Sequence, residues 1–166
     1  MSALPTQILN PIVEPVKALM RDGFELPHGI RNGNPANLHL NPRVIFRGQF
    51  GKDTTGEMIF DTPTHGIRAL GVTVGFYMDA VPGLSLGKCL SFLYSEPPIS
   101  NGSFRYYLST RLLFDIGRPF PFDKRGWELA RAIIEYRNAR PWKGQMVRTF
   151  YEDEFIKRAI HLSHVI

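Results

Sequence analysis

The strongest alternation of apolar and polar positions runs from Phe104 to Ile116. Phe104, Tyr106, Leu108, Thr110, Leu112, Phe114 and Ile116 share one parity, and Arg105, Tyr107, Ser109, Arg111, Leu113 and Asp115 the other. A period of two predicts a half-buried strand, or two short strands with a bend. Arg43–Phe50 and Glu57–Thr62 flank the glycine-bounded stretch Gly51–Gly56 and predict a hairpin. Val72–Met78 and Cys89–Tyr94 read as further strands.

Two C-terminal segments carry helical spacing instead. In the first, 123–140, Trp127, Leu129, Ala130, Ile133 and Ile134 make an apolar stripe, with Asp123 as the N-cap and Pro141 closing the helix. In the second, 152–166, Phe155, Ala159, Leu162 and Ile166 align on one face, with Ile156 and Ile160 beside them. Its acids Glu152, Asp153 and Glu154 come first and its bases Lys157, Arg158, His161 and His164 follow, which suits the helix dipole. That face needs a cover, either the chain's own sheet or a second copy in a homodimer. Pro11–Asp22 reads as a short helix ended by Gly23, and Thr64–Leu70 as another stopped by Gly71. Residues 1–10 read as a flexible arm and 23–41 as loop.

These elements predict an α+β fold. The 43–62 hairpin, the 89–94 strand and the 104–116 segment would form an antiparallel sheet, with the 123–140 and 152–166 helices on one face. The length of 166 residues suits a single domain over 1–166.

Composition narrows the class. The chain is 43% hydrophobic and 12% aromatic, ordinary for a globular protein. The lone Cys89 rules out an internal disulfide and fits a reducing, cytoplasmic setting. No membrane span or secretory signal is read from the hydropathy pattern. Charge is unevenly placed. Residues 1–100 hold eight basic and eight acidic side chains, while 118–148 holds eight basic against three acidic, an excess equal to the net +5 of the chain.

A concentrated positive surplus interleaved with aromatic rings predicts a polyanionic partner whose bases can stack. The candidate contacts to nucleic acid, DNA or RNA, are Lys124, Arg125, Arg131, Arg137, Arg140, Lys143 and Arg148 on phosphates, with Trp142 as a stacking ring. A solvated helix face is the plainer alternative. An adaptor whose basic face meets an acidic protein is a second reading, and a small metal-free ribonuclease a third, drawing an acid–base pair from His39, His65, Tyr106, Tyr107 and Tyr136.

Other chemistries lack their signatures. Gly48-Gln-Phe-Gly-Lys-Asp-Thr54 has only two residues between its glycines and aspartate after its lysine, so it is a turn and not a phosphate-binding loop. His161-x-x-His164 lacks a third ligand nearby and reads as a dipole contact. Cys89 sits in the apolar run LGKCLSFLY and reads as a buried structural thiol rather than a nucleophile awaiting His28, His39 or His65. No catalytic residue, metal ligand or cofactor is assigned.

Three pieces resemble a known family: Val44-Ile-Phe-Arg-Gly-Gln-Phe-Gly-Lys52, Met58-Ile-Phe-Asp-Thr-Pro63, and Ile67-Arg-Ala-Leu70 running on to Gly75-Phe76. They are similar to the opening of lambda-like phage tail assembly proteins, whose N-terminal part is a ubiquitin-like β-grasp. His65-Gly66 departs from that family's usual Glu-Ala, and nothing after Val81 matches it. The resemblance implies a non-enzymatic assembly factor of phage or mobile-element type, acting through protein contacts.

Overall fold

A computed structural model describes residues 4–94 and 102–164. The chain is mixed helix and strand with antiparallel pairing, consistent with an α+β class. Its elements are α1 (Thr6–Leu9), α2 (Glu14–Arg21), α3 (His28–Arg31), β1 (Gln49–Lys52), β2 (Met58–Phe60), α4 (Pro63–Ala80), α5 (Leu86–Leu93), α6 (Gly102–Leu112), α7 (Phe122–Asn138), β3 (Arg140–Trp142), β4 (Gln145–Val147) and α8 (Asp153–His161). A 3-10 turn over Leu162–His164 follows α8.

Several predicted helices form as expected. Helix α2 begins with Glu14-Pro15 and ends at Gly23, whose φ of 100° is open to glycine at little cost. The Gly23 N–H donates to Met20 and the Phe24 N–H to Leu19, a Schellman closure. Helix α7 keeps its predicted apolar stripe, with Leu129, Ala130, Ile133 and Ile134 buried. Its N-cap is Pro121 and not Asp123, which lies in the first turn and complements the dipole without capping. Helix α8 opens on Asp153 and Glu154 and closes on Arg158 and His161, and residues 165–166 of that prediction lie outside the described residues. The expected arm is not free throughout, because Thr6–Leu9 is helical and Ile8 is buried.

Three predicted strands are helices. Phe104, Leu108 and Leu112 are buried, but Tyr106 is 74% exposed. A spacing of four fits both an alternating strand and a helix, so the parity pattern could not separate them. In α5, Leu86, Cys89, Leu90 and Leu93 follow i, i+3, i+4, i+7, and Ser85 caps the start by accepting from the Lys88 N–H. The window 89–94 alone lacks Leu86 and with it the helical period. Val72–Met78 is the second half of α4, which passes through Gly71. A Cβ at Gly71 would lie 2.5 Å from Ser163 Oγ, so this glycine serves the close approach of the C-terminal turn rather than a helix stop. At the front of α4, Thr62 accepts from the His65 N–H and Pro63 takes the first position. Thr62→Ala should cost about 1 kcal/mol, measured by urea unfolding.

The strands form two separate hairpins. β1 pairs with β2 across Gln49/Phe60 and Lys52/Met58, so the first hairpin is shorter than 43–62. β3 pairs with β4 around Lys143-Gly144, whose φ values of 46° and 80° suit the primed two-residue turn. Since 89–93 and 104–112 are helical and 113–116 is turn, α7 and α8 pack on helix α4 and on one another, and α7 also on α6. One apolar cluster extends from Ile12 to Ile160. Ile156, Ala159 and Ile160 of α8 are buried against the chain's own helices, while Phe155 is half-buried, Leu162 is 42% exposed and Ile166 lies outside the described residues. Cys89 is buried, and burial pushes its thiol up to about 11, as a structural thiol requires. Among the described residues no helix is long and apolar enough to cross a membrane.

Candidate functional site

The eight predicted nucleic-acid contacts do not form one continuous face of free cations. Arg140 lies 3.9 Å from Glu25 and Lys143 2.5 Å from Asp22, so the β3–β4 hairpin is pinned to the end of α2. Trp142 packs edge-on to Phe24 at 5.7 Å, with Lys143 over its ring at 5.3 Å. Its face is therefore partly occupied. Arg125 pairs with Glu128, donates to the Leu112 carbonyl at 2.7 Å and lies over Phe120. Arg137 lies 4.7 Å from the ring centre of the buried Tyr94. Among the described residues Lys124, Arg137 and Arg148 have no carboxylate partner.

The structure does bring two of the eight together with a residue the sequence placed on a strand face. Arg131 of α7, Arg148 just after β4, and Arg111 of α6 line one pocket of about 150 Å³, together with Thr149, Glu135 and Asp153. Helical geometry in α6 puts Tyr107 and Arg111 four apart, facing α7. Glu135, 7% exposed, accepts from Arg111 at 2.9 and 3.0 Å and from the Tyr107 hydroxyl at 2.6 Å. Burial works against the Glu135 charge, but the Arg111 and Tyr107 hydrogen bonds and the nearby Arg131 outweigh it and hold its carboxyl below the ordinary range. Burial, with Glu135 as acceptor, raises the Tyr107 hydroxyl instead. Arg131 donates to Asp153 at 3.0 Å, while its buried Nε makes no hydrogen bond. Arg148 lies over the Tyr107 ring at 5.3 Å. Three guanidinium groups thus meet two carboxylates, leaving one positive charge over.

A second polar cluster was not legible as such. The loop between α3 and β1 carries Asn32, Asn34 and Asn37, then His39. Asn34 is fully buried and fixes the loop: it donates to the Leu38 and Met58 carbonyls at 2.9 Å and accepts from the Leu38 N–H at 3.0 Å. Asn138 from α7 donates to Pro35 O and Tyr94 donates to Ala36 O, each at 2.6 Å. So clamped, Asn37 holds a left-handed φ of 54° and turns its amide toward Glu57. Glu57 Oε2 lies 2.7 Å from His28 Nε2, and Glu57 Oε1 lies 4.0 Å from His39 Nε2. The useful signal was three asparagines between two histidines in a stretch without hydrophobic period. His65, named for a ribonuclease pair, instead bonds Asp61 at 2.5 Å. The chain matches no protein-family model and no curated protein sequence.

Proposed function

We propose that the protein binds nucleic acid without cleaving it, and that the Arg111–Arg131–Arg148 pocket is its phosphate seat. The observation that carries this reading is the convergence of three guanidiniums from three elements on one pocket holding only two carboxylates. Arginine's planar fork suits phosphate oxygens, and a guanidinium stacked on a ring gives up less conformational freedom when it binds. Arg148 is the best placed, since it lies on Tyr107 and shares no carboxylate. Lys124 and Arg137 contribute long-range attraction. Arg140 and Lys143 are spent on Glu25 and Asp22 and contribute little.

Fluorescence anisotropy with random-sequence single-stranded oligonucleotides tests it. Arg148→Gln should weaken binding about 3–10-fold for every sequence and lower the slope of log affinity against log salt by about one. An Arg140→Ala/Lys143→Ala double variant should bind within about twofold of the parent. Affinity unchanged in Arg148→Gln would contradict the assignment, and a partner that survives nuclease treatment would favour the protein–protein adaptor instead.

A further inference from the structure

We propose that His28, Asp53 and Glu57, with the Asn37 side chain, form a binding site for one divalent metal ion of the zinc class. Among the described residues this is the one group in which three His, Cys, Asp or Glu side chains bring ligand atoms within 4.8 Å of one another. The site is independent of the phosphate pocket.

Four observations point to a cation. First, three side chains already bring donor-type atoms together at hydrogen-bond spacing. His28 Nε2 to Glu57 Oε2 is 2.7 Å, Asn37 Nδ2 to Glu57 Oε2 is 2.9 Å, and Asn37 Nδ2 to His28 Nε2 is 3.3 Å. Ligands bound at about 2.1 Å lie about 3.0–3.4 Å apart, so an ion would spread the two shorter pairs by a few tenths of an ångström. Second, Asn37 is 3% exposed, yet its Oδ1 has no hydrogen-bond partner. A half-turn about its Cβ–Cγ bond exchanges Oδ1 with Nδ2 and brings an oxygen donor into the cluster. Third, Glu57 is 7% exposed, and among the described residues its pairing partners are the imidazoles of His28 and His39, with no lysine or arginine. A buried carboxylate needs a compensating charge. Fourth, the Asp53 carboxylate is fixed in place. Its Oδ1 accepts from the Thr55 hydroxyl and N–H and from the Glu57 N–H.

The surroundings fit a pre-formed site. Asn32 donates to Asp53 Oδ2 at 2.9 Å, orienting that carboxylate as an outer shell does. A Cβ at Gly29 would come within 2.7 Å of the Asn37 amide, so only glycine leaves Asn37 its place. The His28 and His39 side chains are 50% and 42% exposed, which gives an ion a way in. Imidazole, carboxylate and amide donors without a thiolate favour a borderline divalent ion over calcium or magnesium, and zinc leads manganese in such sites.

Isothermal titration of chelator-treated protein with zinc chloride near neutral pH decides the matter. One ion should bind per chain, and His28→Ala and Glu57→Gln should each weaken binding about 10–100-fold. Zinc should raise the melting temperature of the parent and of a His161→Ala/His164→Ala variant, but not of His28→Ala, whose half-exposed side chain can be removed without emptying the core. Circular dichroism verifies that each variant is folded. Absence of saturable binding, an affinity unchanged in His28→Ala, or binding lost only with His161 and His164 would each overturn the assignment.

Discussion

Replacing Phe104 with alanine should destabilise the protein by about 3–5 kcal/mol, whereas Tyr106→Ala, two residues on, should change stability by less than about 0.5 kcal/mol. Phe104 is 1% exposed and lies 4.6 Å from the Tyr136 ring and 6.1 Å from the Tyr94 ring. Deleting it removes the transfer energy of the ring, leaves a cavity between α6 and α7, and strips two aromatic contacts. Tyr106 is 74% exposed and has little to lose. The contrast tests the element itself, because on a strand both side chains would share a face and both would matter. Equilibrium urea unfolding of the two variants reads it directly.

Glu135→Ala should cost about 2–4 kcal/mol, less than the loss of a fully buried pair because Arg111 is 40% exposed. The carboxylate joins Arg111, Arg131 and Tyr107, so its removal leaves a guanidinium and a phenol facing each other without an acceptor. The pH dependence has a definite sign. The folded protein holds Glu135 below the ordinary carboxyl range, so its stabilisation is complete above the unfolded value of about 4.3. It disappears as pH falls through the lower folded value. The melting-temperature gap between the parent and Glu135→Gln should therefore be full at neutral pH and close below about pH 4.3. A gap that widens on acidification would contradict this.

What the sequence made legible follows from which interactions are local. The stripes of α7 and α8 belong to single helices, and both helices form close to their expected bounds. Helix α6 resembles a strand in sequence because 104, 108 and 112 satisfy two periods at once, and only the exposure of Tyr106 separates them. Gly71 looks like a stop in the sequence because its purpose, room for Ser163, lies more than ninety residues away. The β3–β4 hairpin was missed since its turn puts a lysine, Lys143, at positive φ.

The same limit governs the site. Charge counted along the chain finds the excess at 118–148 but not its partners. Asp22 and Glu25 belong to the balanced N-terminal half, yet they meet Lys143 and Arg140. Arg111 was read as one member of an alternating strand, so its convergence with Arg131 and Arg148 depended on α6 being helical. The His28–Glu57 cluster joins a helix turn, an asparagine loop and a strand edge; the asparagines between His28 and His39 mark the loop, but not the Glu57 and Asp53 that meet it.

The arginine side chains can report the contact themselves. In ¹H–¹⁵N spectra of the Nε–H groups, titration with a single-stranded oligonucleotide should shift Arg148, and with it Arg111 and Arg131, while Arg140 and the Trp142 indole stay in place. Shifts confined to Arg140 and Trp142, or none at all at saturating oligonucleotide, would contradict the account.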